Sequence, residues 1–158
     1  MRISLLLIFL PLTGIFLTAC RKDRTFSEIP SIEFRNLSIG GDSSKLVLFF
    51  TDGDGDIGLA QFDTAGTYRF NCFVDVYRKT GNEWIKQDFI IPYYYRIPVL
   101  KKSSKNKPLE GDIHIDLLDF PPDLGTPEKD TLKASIYILD RALNKSNVVE
   151  SPEFITGF

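Results

Sequence analysis

Three aspartates alternate with glycine in the stretch Asp52-Gly53-Asp54-Gly55-Asp56. Carboxylate oxygens on a flexible loop are the ligands that Ca²⁺ prefers, in sets of about six to eight. The spacing matches the start of an EF-hand loop, but Ile57 stands where that loop needs Gly, and Asp63 stands where it has a bidentate Glu. We therefore expect no EF-hand, and a calcium site of another geometry stays open.

The elements on either side of this loop have the period-two patterns of β-strands. We find no amphipathic helix longer than about two turns. Turn residues separate the patterned segments, and Thr80-Gly81-Asn82 is a hairpin signal. The sequence thus predicts an all-β, immunoglobulin-like antiparallel β-sandwich of about seven strands. The predicted strands cover residues 32–37, 45–51, 68–79, 83–91, 112–118, 132–139 and 148–155.

A second polar loop, residues 140–147, follows the predicted strand 132–139. In an immunoglobulin-like sandwich this loop and the one after strand 45–51 lie at the same end. Carboxylates held that close repel each other unless a positive group lies between them. That group is either Ca²⁺ or a side chain, Arg141 or Lys145, in which case the aspartates are ordinary turn residues. The predicted calcium ligands are Asp52, Asp54, Asp56, Asp140 and Asn144.

Aromatic residues cluster after the predicted hairpin, at Trp84, Tyr93, Tyr94 and Tyr95. Aromatic side chains are enriched where proteins contact partners, so these four residues are a candidate surface for a protein or glycan partner. Cross-strand packing within the sheet is the alternative interpretation.

The sequence contains no recognisable catalytic constellation. His114 is the single histidine, and it lies in an alternating segment where we expect it to face solvent. A nucleophile and base pair of the Ser-His or Cys-His type is hard to build from it. Paired carboxylates such as Asp116 and Asp119 have the chemistry of a glycosidase, but carboxylates are abundant here. We expect that the protein is not an enzyme. A hydrolase with an unrecognised carboxylate site is the weaker alternative.

The first nineteen residues differ from the rest of the chain. Arg2 is followed by an apolar run from Ile3 to Leu17, a length typical of a secretory signal and short for a bilayer span. The run ends in Leu17-Thr18-Ala19-Cys20, which resembles the bacterial lipobox. That resemblance implies removal of residues 1–19 and acylation, with palmitate among the acyl chains, at the thiol of Cys20. An uncleaved N-terminal anchor is the alternative.

The length and charge of the chain after residue 19 limit the number of domains and the kinds of partner. Removing residues 1–19 leaves 139 residues with 18 basic and 21 acidic side chains, a net charge near −3. An acidic chain is not expected to bind nucleic acid. The length predicts one domain, residues 31–158, after a polar tether over residues 20–30. Cys72 is the one thiol left besides Cys20, and we expect it to be buried in a strand without a disulfide.

Four segments together resemble a group of uncharacterised lipoproteins typical of the Bacteroidetes, which have an immunoglobulin-like domain after the lipobox. The segments are residues 50–58 (FTDGDGDIG), 91–93 (IPY), 111–113 (GDI) and 140–149 (DRALNKSNVV). The group usually has Gly where this chain has Leu143, which puts a tight turn there in question. The resemblance implies the fold and an envelope location but no activity.

Together these patterns indicate a membrane-anchored, non-catalytic binding module for a protein or glycan, stabilised by calcium or not. A purely structural envelope component is the alternative. Arg21, and not Asp, follows Cys20, so the inner-membrane retention signal is absent and the outer membrane is expected, facing the periplasm or the surface.

Overall fold

The computed structural model describes residues 25–40, 43–100, 107–125 and 129–156. Within them the chain forms nine β-strands, one 3₁₀ turn at Gly66–Tyr68, and no α-helix. The strands are β1 Ser31–Ser38, β2 Ser44–Asp52, β3 Cys72–Thr80, β4 Glu83–Lys86, β5 Tyr93–Tyr95, β6 Leu109–Leu117, β7 Asp130–Ile138, β8 Val149–Glu150 and β9 Phe154–Thr156.

The strands make two sheets that pack face to face. The first has the order β1-β2-β6, and the second has the order β4-β3-β7-β8, with β5 also pairing with β3 and β9 with β7. Every pair of named strands is antiparallel. This confirms the predicted all-β sandwich and is consistent with an immunoglobulin-like arrangement.

The core lies between the sheets because alternate residues of the long strands face inward. Cys72, Val74 and Val76 share the core face of β3, as the alternation predicted. Burying an apolar side chain of this size stabilises the fold by roughly 1.5–3 kcal/mol. The same alternation continues to both ends of β2, where it buries Ser44 at one end and Asp52 at the other.

A register shift in β1 explains why its apolar residues do not keep a strict period of two. The pairing of β1 with β2 slips between Phe34 and Asn36, so Arg35 is an extra residue in the strand. The shift restores the phase, and both Phe34 and Leu37 pack against the core.

Three predicted strands have different bounds in the structure. The strand predicted over 68–79 begins at Cys72, because the residues before it include the 3₁₀ turn. The return strand predicted over 83–91 pairs only to Lys86, after which the chain leaves β3 and rejoins it as β5. The strand predicted over 148–155 is split in two, with Pro152, which lacks an N–H, in the interruption.

Candidate metal centre

Two core-facing aspartates meet at one end of the sandwich. Asp52 takes the last inward position of β2, and Asp140 lies two residues beyond Ile138, on the inward phase of β7. Both are buried, with relative exposures of 0% and 1%. Since β2 and β7 belong to opposite sheets, the register of the sandwich brings the two carboxylates together from its two layers.

Asp56 completes a trio with these residues. One carboxylate oxygen from each of Asp52, Asp56 and Asp140 lies within 4.8 Å of the other two. Asp56 also ties the two loops together, because its Oδ2 accepts a hydrogen bond from the backbone N–H of Ala142 at 3.2 Å. The structure therefore brings together three of the five residues that the sequence predicted as calcium ligands.

Only one of the two carboxylate oxygens of Asp52 forms hydrogen bonds with the protein. Its Oδ2 accepts hydrogen bonds from the backbone N–H groups of Asp56 at 2.8 Å and Ile57 at 3.2 Å, which shapes the loop. Its Oδ1 is buried and has no partner. Burial raises the pKa of Asp52 to about 6, against the effect of those hydrogen bonds, and the charges of Asp54 and Asp56 act in the same direction as burial.

Asp56 and Asp54 each have a buried Oδ1 without a hydrogen-bond partner as well. Burial raises the pKa of Asp56, and the nearby charges of Asp140 and Asp54 add to the effect. Asp54 lies outside the trio, but its charge acts on both neighbouring aspartates. Three carboxylate oxygens without partners, in one loop, need a positive charge nearby to balance them.

Asn144 is placed as a support for Asp140. Its backbone N–H donates to Asp140 Oδ1 at 2.7 Å, and its side-chain amide donates to Asp140 Oδ2 at 2.8 Å. The two N–H donors of Asn144 thus orient the carboxylate of Asp140. The structure gives Asn144 a positioning role, and its role as a ligand through Oδ1 stays a prediction.

Neither Arg141 nor Lys145, the side chains named above as alternatives to Ca²⁺, forms an ion pair with the trio. Lys145 Nζ lies 3.8 Å from the ring centroid of Tyr137, on the outer face of the second sheet. Arg141 donates to the carbonyl of Gly58 at 3.5 Å, and its charge lowers the pKa of Asp56. Among the described residues, no ion pair within 4.0 Å joins either side chain to the trio.

The glycines of the aspartate loop allow other chain segments to approach it closely. A Cβ on Gly53 would overlap the backbone at Phe26 and Ser27, and one on Gly55 would overlap the carbonyl of Lys107. Gly55 also has a φ of +70°, which favours glycine. The sequence indicated only that these glycines make the loop flexible, whereas the structure shows that crossing segments require them.

The four aromatic residues predicted as a partner surface do not lie on one face, which corrects that prediction. β5 pairs with Cys72, Phe73 and Val74, so Tyr93 and Tyr95 face the core with the inward residues of β3. The hydroxyl of Tyr93 donates to the carbonyl of Asp119 at 2.6 Å, which holds it in place. Period-two alternation makes this unavoidable for three consecutive strand residues.

Tyr94 and Trp84 do lie on the outer face of the second sheet. Tyr94 packs edge-on against Phe73, which stacks on Tyr137 with ring centroids 4.8 Å apart. The ring of Trp84 has the ammonium groups of Lys133 and Lys79 at 4.8 Å and 5.5 Å from its centroid. The ring faces are therefore largely taken up by neighbouring side chains.

Two asparagines and an arginine hold the loops of this end, and no sequence pattern singled them out. Asn71 is buried and bonds both the N–H and the carbonyl of Ile97, at 2.7 Å and 3.2 Å. Asn147 does the same for Ile32, at 2.8 Å and 2.9 Å. Arg96 donates to four backbone carbonyls between residues 60 and 69. These contacts join segments far apart in sequence, which local patterns do not show.

The predicted lipidation site at Cys20, the leader and most of the tether lie outside the described residues. Within the part of the chain that the structure describes, no helix has the length and apolar character to cross a membrane. Comparisons with protein-family models, with curated proteins and with solved structures found no match for this chain.

Proposed function

We propose that this chain is an outer-membrane lipoprotein, held by lipid on Cys20, whose sandwich is a calcium-stabilised, non-catalytic binding module. The observation that carries the calcium part is the set of buried, unpartnered Oδ1 atoms on Asp52, Asp54 and Asp56. A buried charge without a partner costs several kcal/mol, so these oxygens favour a cation in their midst.

The donor set fits Ca²⁺ better than other common metals. All candidate ligands are carboxylate oxygens, and the trio contains no imidazole or thiolate of the kind that zinc prefers. Ca²⁺ accepts irregular sets of about six to eight oxygens, so the trio, Asp54 and water satisfy it. Mg²⁺ needs a stricter octahedron and fits a loop of this kind less well.

A protein partner is favoured over a glycan for the outer face of the second sheet. Sugars bind aromatic residues through an open ring face, but lysines cover the rings of Trp84 and Tyr137. Phe73 and Tyr94 offer ring edges beside charged groups such as the pair Lys86 and Asp75. Partly exposed aromatic residues surrounded by charges are the usual composition of a protein contact site.

Thermal unfolding of the mature chain in millimolar Ca²⁺ and in chelator tests the calcium site. At a hundredfold excess over the dissociation constant, binding adds about 2.7 kcal/mol, which raises the melting temperature by roughly 10 °C in a domain of this size. Asp56→Asn should abolish most of the rise, whereas the control Asp112→Asn, on the exposed face of β6, should keep it. An unchanged melting temperature at several millimolar Ca²⁺ would refute the site.

Capture of partners from envelope extracts tests the binding module separately. Tyr94→Ala removes an aromatic residue from the outer face without touching the core. Ile85→Ala is the control, because Ile85 is 47% exposed but lies on the opposite face of the same sheet. A binding module should lose a specific partner with the first change and keep it with the second. Absence of any partner in both cases would support the purely structural alternative.

A further inference from the structure

The end of the sandwich that carries the aspartates is also the end where the anchored segment joins the domain. The backbone N–H of Gly53 donates to the carbonyl of Ser27 at 2.7 Å. Five residues later, the side chain of Asn147 holds both backbone groups of Ile32. The last residues of the tether and the start of β1 are therefore fixed to the two loops of the candidate metal centre.

The length of the tether places this end close to the membrane. Six residues lie between Cys20 and Ser27, so seven residue-to-residue steps join them, and an extended chain spans at most about 3.3–3.6 Å per step. Ser27 therefore lies within roughly 25 Å of the acylated residue. The β3–β4 hairpin at Asn82 lies at the opposite end of the sandwich, a full strand length away.

The anchored end exposes apolar side chains that contribute nothing to the core. Phe62 is 92% exposed and Leu143 is 39% exposed, on the two loops that meet there. The loops lie side by side, because Asp63, Tyr68 and Arg141 line one hollow of about 260 Å³ and the hydroxyl of Tyr68 donates to the carbonyl of Arg141. The two loops that carry the exposed side chains of Phe62 and Leu143 therefore lie next to each other at this end.

Leu143 has an exposed side chain, and its backbone is also strained. Its φ is +66°, in the left-handed region that a branched side chain rarely adopts. The turn is nonetheless tight, with Leu143 N–H donating to the carbonyl of Asp140 at 3.2 Å. An exposed leucine in a position that glycine fits better points to a function outside the fold.

Calcium would change the charge of the two loops that form the candidate metal centre. Residues 52–71 and 139–148 contain five aspartates and three basic residues, a net charge of −2 for these two loops. Negative charge repels anionic headgroups, and one bound Ca²⁺ would cancel the negative charge of the two loops. Arg69 and Arg141 are exposed on the same loops, and such residues attract anionic phospholipid.

We propose that, with Ca²⁺ bound, this end of the sandwich docks on the anionic phospholipid surface to which Cys20 anchors the chain. Phe62 and Leu143 enter the headgroup region, and Arg69 and Arg141 contact lipid phosphates. This inference rests on the proposed function, because it needs both the anchor and the calcium site.

Depth-dependent fluorescence quenching tests the docking directly. The mature acylated chain is placed in phosphatidylcholine vesicles containing phosphatidylglycerol, and a probe is attached at Thr64→Cys, beside Phe62. A second sample has the probe at Asn82→Cys, at the far end. Labelling is selective because Cys20 is acylated and burial raises the pKa of the Cys72 thiol to about 12.

Docking predicts that headgroup-level nitroxide lipids quench the probe at position 64 in Ca²⁺ and that chelator removes the quenching, whereas the probe at position 82 stays unquenched. Phe62→Ser and Leu143→Gly should each weaken the docked state by about tenfold. Equal quenching at both positions, or quenching at position 64 that neither variant changes, would overturn the inference.

The same samples separate this inference from the proposed function. A calcium-induced rise in melting temperature without quenching at position 64 refutes the docking and leaves the calcium site standing. Absence of the rise refutes the calcium site itself. A mass spectrum of the mature chain without acyl groups on Cys20 refutes the anchor.

Discussion

Replacing Asp52 by asparagine should change the stability of this domain in opposite directions with and without calcium. Asparagine keeps an oxygen to accept the hydrogen bonds from Asp56 and Ile57, so the loop retains its shape. It removes the buried negative charge, whose Oδ1 has no partner. The variant therefore isolates the charge from the structural role of the side chain.

Without calcium, the change in the free energy of unfolding caused by Asp52→Asn follows from the raised pKa of Asp52. That pKa is about 6, against an ordinary value of 3.8. A pKa raised in the folded state stabilises the fold below about pH 4, and that contribution is lost as the pH rises through about 6. A rise of about two units corresponds to roughly 3 kcal/mol. The amide N–H₂ of the new asparagine has no partner, and this costs about 1–2 kcal/mol of the stability gained by removing the charge. In chelator near pH 7.5, Asp52→Asn should therefore be more stable than the unchanged chain by roughly 1–2 kcal/mol.

With calcium bound, the unchanged chain should be more stable than Asp52→Asn. The unchanged chain gains about 2.7 kcal/mol at a hundredfold excess of Ca²⁺, and the variant loses most of that gain. Urea unfolding of both proteins at about pH 7.5 and pH 4.5, in Ca²⁺ and in chelator, measures all four differences. Near pH 4.5, where Asp52 is largely protonated, the advantage in chelator should nearly disappear.

One result would refute this reasoning. If Asp52→Asn is destabilised equally in chelator and in Ca²⁺, the carboxylate is already balanced by a side chain such as Arg141, and the loop is structural. Asp112→Asn, which removes an exposed charge from β6, should be within about 0.5 kcal/mol of the unchanged chain in every condition.

Three further outcomes can be measured. Calorimetric titration should show Ca²⁺ binding about tenfold weaker near pH 5 than near pH 7, because Asp52 must release its proton to bind the ion; equal affinity would exclude Asp52 as a ligand. Asn71→Ala should cost roughly 2–5 kcal/mol in urea unfolding, since it leaves two buried backbone groups of Ile97 without partners, whereas Asn82→Ala in the exposed hairpin should cost about 0.5 kcal/mol or less. Leu143→Gly should be as stable as the unchanged chain or up to about 1 kcal/mol more stable, because it relieves a left-handed backbone; a loss of stability would show that the leucine side chain supports the fold.

Local alternation was enough to predict the sandwich and to bring two distant loops to one end. It works because a strand with one buried face repeats every second residue, as in β2, β6 and β7. The same alternation, followed one residue past the predicted strands 45–51 and 132–139, also places Asp52 and Asp140 on the core side. The sequence pattern thus predicts that both aspartates are buried, but it does not predict the distance between their carboxylates.

The four aromatic residues predicted as one partner surface are divided between two faces of the sheet, for the same physical reason that the loop prediction was useful. Tyr93, Tyr94 and Tyr95 are adjacent in sequence, but consecutive residues of a strand face opposite sides. The outer aromatic face instead gathers Phe73 and Tyr137 from neighbouring strands. Such cross-strand sets depend on register, which a single sequence does not reveal.

Two departures from ordinary folding rules meet at one end of this domain. Asp52 has a buried carboxylate oxygen without a partner, and Leu143 is an exposed leucine in a left-handed turn. At the far end, the buried Asp130 is instead met by Arg78 at 2.7 Å, as a buried carboxylate in a stable fold should be. A fold that pairs one inward aspartate and leaves another unpaired retains that cost for a function. The proposed calcium site would balance the unpaired oxygens, and the proposed docking would give the exposed leucine a role.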